Sequence, residues 1–428
     1  MTMKIVCGTD LTSASNAALD VACAFAIQRG DRELALVHGA EPDADTGDGA
    51  VVAEVHRRLV AQAAAHTSEV LTVRPELVNR APDHALVEFA QTAGAELIVI
   101  AAQSGPGDDR PTRLGTTAAK VIARTHVPVI AVRDPAPWLA FARGAAPLKI
   151  LLGIDDSSTS ELGVQWTVAL GKRGPVDVVL GAIYYPDDAA AYYGLPARSL
   201  VETDPEIERL MQRDLLRRFA GSGSSRHVIA RARRGLGRIG DHMIELASEE
   251  HVHAIVVGTG QKLGLGRLGS VSSVIVQEAP QSVVCVPPQA AVETHTVPQL
   301  AQALVATDLS PFANRAVPYA FAVAPPSGEV HLVHVVKEVA ELDEPAVAAL
   351  HHQLGSLAPS NALHKLRTHV VRGDDPAVAI AQCAARLGVD VICIASHGRA
   401  GITRALVGST ADRLLRLTRL PVLVLRPG

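Results

Sequence analysis

Short apolar runs recur along the chain, and each is followed by a segment in which apolar residues recur at helical spacing. The run 391–394 is rich in β-branched residues and does not alternate with polar ones, which is typical of a strand buried on both faces, and 34–38 is predicted as another buried strand. The segments 51–65 and 83–93 follow the period of an amphipathic helix. Regular alternation of such strands and helices predicts parallel sheets with right-handed crossovers and helices on both faces.

The same order of elements occurs three times. The apolar runs 4–10, 149–155 and 303–308 each end in aspartate and lead, past Ser or Thr, into a helical pattern. This repetition predicts three domains, over residues 1–134, 147–288 and 300–428. Each is expected to be a doubly wound, five-stranded parallel sheet flanked by helices. Two Pro- and Ala-rich segments, 133–147 and 287–298, are the predicted linkers between them.

Composition narrows the class of protein. Hydrophobic residues make up 48% of the 428 residues but aromatic residues only 3%, which suits cores built from Val, Leu, Ile and Ala. The net charge of −4 gives no electrostatic basis for binding nucleic acid or an anionic membrane, and the basic cluster at 226–238 is interpreted as a solvated face. Five cysteines, mostly within apolar runs, and the lack of a long apolar segment predict a cytoplasmic protein without a membrane span.

The sharpest candidate for a ligand site lies at residues 395–409. After the strand comes Ala395, then two residues and Gly398, then nine residues and the pair Gly408 and Ser409. A helical pattern follows, and Ser409 is expected to cap its first free amides. Helix N-termini carry partial positive charge and unpaired N–H groups, so they suit phosphate. The lysine of a Walker loop is absent from this position, which argues against a standard P-loop NTPase.

Three copies of strand-Asp, Gly/Ser loop and terminal Pro-Val-type strand resemble tandem universal stress protein domains over nearly the whole chain. The resemblance implies a Rossmann-like, adenine-nucleotide-hydrolase-like fold. In the ATP-binding members of that family, ATP or another adenine nucleotide lies at the carboxyl ends of the strands. Mg²⁺ is an optional companion that would be held through the phosphates. Carried onto the third repeat, it assigns ribose or adenine contact to Asp308, adenine contact to Val335, and the ribose-phosphate cradle to Ala395, Gly398, Gly408 and Ser409.

The first two repeats match less well. In the first repeat the corresponding residues are Asp10, Gly39, Ala102, Gly105, Gly115 and Thr116. Its loop also holds two aspartates at 108–109, which would repel phosphate unless a divalent ion lay between them. In the second repeat the loop is short and lacks the second glycine, so the doubtful candidates are Asp155, Ala182, Gly258, Gly269 and Ser270. That repeat has either a shifted phosphate site or a degenerate one, and the second interpretation is preferred.

Structural roles compete with several of these assignments. The three aspartates could simply cap the helices that follow them. His397 has no nucleophile or orienting carboxylate beside it in sequence, so it is assigned a loop hydrogen bond, and no catalytic residue is proposed. The tyrosine-rich segment 183–196 of the second repeat would suit either a packing contact or a lid over a base, and packing is preferred.

The resemblance implies a stress-response protein that acts through nucleotide-dependent regulation or through an unidentified protein partner. The alternative is a nucleotide-free scaffold assembled through edge strands, and a slow ATP hydrolase is the least favoured hypothesis.

The last strands, 127–132, 282–286 and 422–425, are predicted at sheet edges. Because one pair can form within the chain and the third strand is left over, the chain is expected to form a homodimer.

Overall fold

The computed structural model describes residues 3–40, 49–103, 114–155, 157–196, 203–219, 227–260, 270–290, 300–337, 342–396 and 408–426. The chain divides into two compact units. The first consists of Met1–Tyr184 with Leu215–Thr296, and the second of Tyr185–Asp214 with Val297–Gly428.

Strands and helices alternate along each repeat. The first repeat contains β1 (Ile5–Gly8), α1 (Ser13–Arg29), β2 (Glu33–Gly39), α2 (Gly49–His66), β3 (Thr72–Val78), α3 (Pro82–Ala93), β4 (Leu97–Ala101), α4 (Thr116–Arg124) and β5 (Val129–Val132). A short helix, α5 (Ala136–Ala142), follows it.

The second repeat contains one additional helix. Its elements are β6 (Leu148–Gly153), α6 (Ser158–Gly171), β7 (Val176–Tyr184), α7 (Pro186–Tyr193), α8 (Pro205–Phe219), β8 (His227–Arg234), α9 (Ile239–Glu249), β9 (Ala254–Gly258), α10 (Ser270–Glu278) and β10 (Ser282–Val286).

The third repeat returns to the simpler pattern. It contains β11 (Gln302–Ala306), a 3₁₀ turn (Ala313–Arg315), α11 (Ala316–Val323), β12 (Glu329–Val336), α12 (Glu344–Gly355), β13 (Lys365–Arg372), α13 (Pro376–Leu387), β14 (Val391–Ala395), α14 (Ser409–Leu417) and β15 (Val422–Leu425).

The strand order confirms the predicted doubly wound fold. The third repeat forms a five-stranded parallel sheet in the order β13-β12-β11-β14-β15. The first two repeats share a ten-stranded sheet, β3-β2-β1-β4-β5-β10-β9-β6-β7-β8. Its single antiparallel junction pairs β5 with β10, where Ile130 lies opposite Val284. Two of the predicted edge strands therefore pair within the chain.

The central strands are buried on both faces, as their uninterrupted apolar runs predict. In the first repeat Ile5, Leu34 and Ile98 are fully buried side chains of three neighbouring strands. The helices on either side are held at their ends by local signals. Thr12 caps α1 in a capping box with Ser15.

The first predicted linker is part of the core. Trp138 and Phe141 of α5 are fully buried, and their rings lie 5.8 and 6.0 Å from that of Phe25 on α1. A Cβ at Gly174, in the second repeat, would come within 2.8 Å of the Phe141 ring. The Pro- and Ala-rich composition therefore marks a packed helix instead of a loose connection. Most of the second predicted linker lies outside the described residues.

Among the helices that the structure describes, none is long and apolar enough to cross a membrane.

Candidate functional site

The turn after β1 holds the first candidate aspartate in a fixed conformation. Asp10 Oδ1 accepts hydrogen bonds from the backbone N–H of Thr12 at 3.1 Å and from the Thr12 hydroxyl at 2.6 Å. Thr9 Oγ1 accepts from the N–H of Leu11 at 3.0 Å. Leu11 itself has a φ of 64°, a left-handed conformation that is uncommon for a leucine. Such strain persists only where its surroundings hold it in place, and it concentrates at functional sites.

The third repeat builds the same turn. Asp308 Oδ1 accepts from the N–H of Ser310 at 3.0 Å, and Thr307 Oγ1 accepts from the N–H of Leu309 at 2.9 Å. Leu309 again has a φ of 64°. The aspartates that the sequence pattern identified are thus positioned by an Asx turn at the carboxyl end of the central strand.

A histidine from the neighbouring strand supports this turn in both repeats. His38 Nδ1 lies 2.9 Å from the carbonyl oxygen of Thr9, and His334 Nδ1 lies 2.9 Å from that of Thr307. Because a carbonyl oxygen only accepts, Nδ1 carries the proton in each case. Sequence reasoning missed these threonines and histidines. The available signal was the repeated Thr-Asp-Leu, with a histidine near the end of the second strand in both repeats.

The second repeat holds its turn differently. Register places Ile154 and Ala182 where the other repeats have threonine and histidine. Asp155 Oδ1 still accepts from the N–H of Ser157 at 2.9 Å. Arg218 of α8 donates to the Asp155 carbonyl oxygen at 2.7 Å and to the hydroxyl of Ser160 at 3.1 Å. A guanidinium therefore supports the turn that histidine supports elsewhere.

Strand register also locates the predicted adenine contact. The amide that follows the first strand of each repeat bonds to a carbonyl of the second strand: Thr9 to Val37, Ile154 to Gly181 and Thr307 to Val333. Two residues beyond these acceptors stand the equivalent positions Gly39, Ile183 and Val335. Ile183, and not the predicted Ala182, is thus the counterpart of Val335 in the second repeat.

Gly39 has a packing role of its own. A Cβ at this position would lie 2.5 Å from the Cα of Pro82 and 2.9 Å from the Cβ of Ala85, so the start of α3 approaches the strand too closely for a larger residue. At the equivalent position in the third repeat, Val335 packs at the edge of a buried cluster. The surface next to the first aspartate therefore differs between these two repeats.

The start of α14 carries the candidate phosphate site. Gly408, with φ −57° and ψ 150°, precedes the helix, and its N–H donates to the Ser396 carbonyl oxygen at 2.6 Å. Gly115 has nearly the same conformation before α4 and donates to Ala102 at 2.9 Å. No described side chain caps either helix. Ser409, which was expected to cap α14, is instead the first residue of that helix. The opening amides can therefore serve an anion.

The loops that lead to these helices differ in length. Ala101 lies opposite Val132 and Ala395 lies opposite Leu425, so Ala101, and not the predicted Ala102, is the counterpart of Ala395. Counted from the strand end, the loop of the first repeat is one residue longer, since Gly115 follows Ala101 by fourteen positions and Gly408 follows Ala395 by thirteen. Three predicted glycines lie outside the described residues, namely Gly105, Gly269 and Gly398.

The second repeat has glycine at the end of its fourth strand for a structural reason. A Cβ at Gly258 would lie 2.3 Å from the carbonyl oxygen of Thr159 at the start of α6. The remaining candidate, Ser270, is the first residue of α10. The helix start is thus retained in this repeat, while its strand end is closed by backbone packing.

The basic cluster of the second repeat is matched by acids on neighbouring elements. Each of three arginines makes an ion pair: Arg231 with Glu250, Arg233 with Glu245 and Glu249, and Arg238 with Asp241 and Glu278. This agrees with the interpretation as a solvated face, because the positive charge is locally compensated.

The cysteines are core residues. All five are buried and free, and burial raises the pKa of Cys23 to about 12 and those of Cys383 and Cys393 to about 11. Such thiols stay protonated at neutral pH and are poor nucleophiles. Within the described ranges, no group of three or more His, Cys, Asp or Glu side chains could hold a metal ion.

These features define a class of tandem-repeat α/β protein with an aspartate turn and a helix start at the carboxyl edge of the sheet. The model of the family described as "Universal stress protein family" matches residues 1–133, 148–287 and 301–426, and the chain belongs to this family.

Curated relatives include two proteins of Mycobacterium tuberculosis. The chain is 33% identical to universal stress protein Rv2005c over 196 aligned residues. The alignment covers 43% of this chain and 64% of that protein. It is 28% identical to universal stress protein Rv2623 over 305 aligned residues, and this alignment covers 66% of this chain and 98% of that protein. The chain thus spans less than two thirds of the first relative.

Solved structures of the family are also similar. A universal stress protein from Archaeoglobus fulgidus DSM 4304 matches 67% of this chain and 99% of its own, with a TM-score of 0.45 and 14% identity. A universal stress protein in complex with cAMP matches 30% of this chain and 99% of its own, with a TM-score of 0.26 and 20% identity.

Proposed function

We propose that this universal stress protein binds ATP or another adenine nucleotide in its third repeat, and more weakly in its first, as a regulatory ligand in the cytoplasm. The supporting observation is the pairing of two features at one edge of the third sheet. The Asp308 turn follows the central strand β11, and the start of α14, which no described side chain caps, follows its neighbour β14. Ligands of doubly wound sheets bind in this position.

Asp308 would bind the ribose. An ionised carboxylate offers about four acceptor positions. The Asx turn uses Oδ1 for the N–H of Ser310 and so sets the direction of the carboxylate. Ribose hydroxyls are donors that suit it, and hydrogen bonds to a charged group contribute about 1.5–3 kcal/mol each. Val335, at the end of the adjacent strand, would contact the adenine ring.

The phosphates would lie on the N-terminus of α14. The backbone amides that follow Gly408 and Ser409 supply donors, and the helix supplies about half a positive charge. Mg²⁺ would be held through phosphate oxygens, since the described side chains form no cluster of three metal ligands. We assign no catalytic residue.

The first and second repeats would bind less well for different reasons. The first keeps the aspartate turn, but its loop is a residue longer and carries two aspartates at 108–109. In the second, Ile154 and Ala182 replace the supporting pair, and Gly258 serves packing. We therefore place no nucleotide in the second repeat.

The experiment compares bound adenylate in purified wild type and two variants by denaturing release and chromatography, with ATP, AMP and cAMP as standards. Gly408→Asp puts a carboxylate at the helix start and is expected to remove about one adenylate per chain. Gly355→Asp is the matched control, because a Cβ at Gly355 would meet nothing within 4 Å and the site is at the end of α12.

Thermal shift gives the second readout. Nucleotide at a hundred times its dissociation constant stabilises the folded state by about 2.7 kcal/mol. Absence of adenylate from the wild type, together with no shift on adding ATP and Mg²⁺, would overturn the proposal and favour the nucleotide-free scaffold.

We further propose that the chain forms a homodimer through β15. The equivalent strands β5 and β10 are fully buried because they pair with each other, whereas every residue of β15 is half-buried. The carbonyl oxygen of Pro421 accepts from Ile392 of β14 and that of Leu425 accepts from Ser396, just after β14. The backbone groups of Val422 and Val424 therefore face away from the sheet. By the register of the internal pair, Leu423 would lie opposite its own copy.

Sedimentation velocity over a range of concentrations tests the dimer. Val424→Pro removes an outward N–H and is expected to give a monomer, whereas Val424→Thr keeps the N–H and the branched side chain and should leave the dimer intact. A wild type that stays monomeric at every concentration, or a proline variant that still dimerises, would contradict pairing through β15.

A further inference from the structure

The second repeat contains an insertion that the other repeats lack. Twenty residues, 185–204, separate β7 from α8, whereas nine residues, 40–48, separate β2 from α2, and seven, 337–343, separate β12 from α12. The insertion includes α7. Residues 185–214, which we call the docking segment, form one compact unit with the third repeat although they belong to the second in sequence.

The docking segment buries apolar side chains against α13. Tyr193 and Leu210 of the segment and Ala385 of α13 form one cluster, and each is more than nine-tenths buried. Tyr192, Leu195 and Met211 pack around it. Since these side chains come from two helices of the segment and one of the third repeat, the cluster joins elements that are far apart in sequence.

Arg213 satisfies the end of α13. Its guanidinium donates to the carbonyl oxygens of Ala385 at 2.6 Å and Arg386 at 2.5 Å. The last carbonyls of a helix lack partners within the helix, and a cation there complements the helix dipole. Arg213 is in turn oriented by Asp214, which also accepts a hydrogen bond from the Tyr193 hydroxyl at 2.8 Å. One connected group thus links the buried tyrosine to the helix end.

Close fit extends the contact along α13. Gln382 Nε2 donates to the carbonyl oxygen of Ala191 at 3.1 Å. Gly194 has a φ of 63° and ends α7, and a Cβ there would lie 2.9 Å from the Cβ of Gln382. The guanidinium of Arg419 lies 5.1 Å from the centre of the Tyr192 ring, within the range of a cation–π contact.

We propose that the C-terminal half of α13 is a docking surface, and that its partner is the docking segment of the same chain. The partner it fits is a pair of helices, α7 and the start of α8, that supplies one buried tyrosine and one arginine for the helix carbonyls. The docking segment thereby supports the third repeat mechanically, and this role requires no nucleotide in the second repeat. Tyr192 and Tyr193 are committed to this role, because Tyr193 is buried against α13 and Tyr192 lies beside Arg419, which leaves these two unsuited to act as a lid over a base.

Hydrogen exchange followed by mass spectrometry on the full chain tests the proposal. In Tyr193→Ala and Arg213→Ala, amides of residues 382–388 are expected to exchange at least about tenfold faster than in wild type, because the helix end loses its cover and its donor. Arg209→Ala is the matched control on the same helix, since Arg209 is exposed and should leave this exchange unchanged.

Two comparisons keep the outcome decisive. Exchange in β11 and β14 should be unchanged in every variant, which separates local undocking from unfolding of the third repeat. Protection of 382–388 should not depend on protein concentration. Equal exchange in wild type and both variants would overturn the proposal, and so would protection that is lost on dilution, because the segment would then come from a second copy.

Discussion

The turn after the central strand is supported in one way in the first and third repeats and in another way in the second. His38 and His334 reach it from the adjacent strand of the same sheet. Arg218 reaches it from a helix on the second repeat's crossover. The aspartate keeps its Asx turn in all three. The aspartate turn alone therefore does not separate the three repeats, whereas the residue that supports it does.

The difference extends to what occupies the edge of the sheet. A histidine within the sheet leaves the region above the strand ends to other groups, while an arginine from a helix brings a guanidinium to the Asp155 carbonyl. The repeat with the arginine is also the one whose loop departs most from the family spacing. The supporting residue and the loop thus both set the second repeat apart, as expected if the proposed nucleotide binds in the other repeats and not in this one.

The largest expected effect comes from replacing Gly258, at the end of the second repeat's fourth strand, by the alanine that the other two repeats have there. Gly258→Ala brings a Cβ to 2.3 Å from the Thr159 carbonyl oxygen, so backbone must move, and the free energy of unfolding should fall by about 3 kcal/mol. Urea unfolding measures it.

The reverse exchange, Ala395→Gly in the third repeat, is its control and should cost about 0.5–1 kcal/mol, through backbone entropy. Equal losses in the two variants would show that the close approach of Thr159 does not separate the repeats.

A smaller effect is expected from removing the histidine support. His334→Ala leaves the Thr307 carbonyl oxygen without its donor and should lower the free energy of unfolding by about 1 kcal/mol, with a parallel loss of adenylate binding. The exposed His352 of α12, replaced by Ala, is the control. If both variants unfold at the same urea concentration and bind alike, the histidine is not what distinguishes the third repeat from the second.

The smallest effect concerns pH. His253 Nδ1 accepts the N–H of Lys149 at 3.0 Å, a task that the Asp390 carboxylate performs for Gln302 in the third repeat. Burial lowers the pKa of His253 below its ordinary 6.5. The unfolded chain therefore takes up the proton first as pH falls below 6.5, and stability declines from there down through the folded-state pKa.

His253→Asn keeps an acceptor that does not titrate. The variant should therefore lose less stability than the wild type between pH 7 and pH 5, as measured by the urea midpoint of the first unit. An identical decline in the two proteins would assign the acid sensitivity to other groups.

Sequence pattern was sufficient for the fold because each strand and helix carries its own periodicity and the order repeats three times. It also placed Asp10, Asp155 and Asp308 at the strand ends. It could not pair His334 with Thr307, since that contact depends on which residues of two strands lie side by side. The same lack of register explains the one-residue offset at Ala102.

The insertion shows a second limit of sequence reasoning. The tyrosines of residues 183–196 indicated a contact surface, but nothing local specifies that Tyr193 packs on Ala385, almost two hundred positions away. Long-range contacts of this kind depend on the final arrangement of packed elements, which no single segment encodes.

The junction between β5 and β10 makes the first two repeats into partners that dilution cannot separate. Joined by α5, they meet at an effective concentration set by the connecting chain, of millimolar order for short tethers, whatever the amount of protein in the cell. A pair built from separate identical chains must accept every substitution twice, once on each side. Here a change in one half leaves the other untouched, so asymmetry between the two halves can accumulate while their association persists.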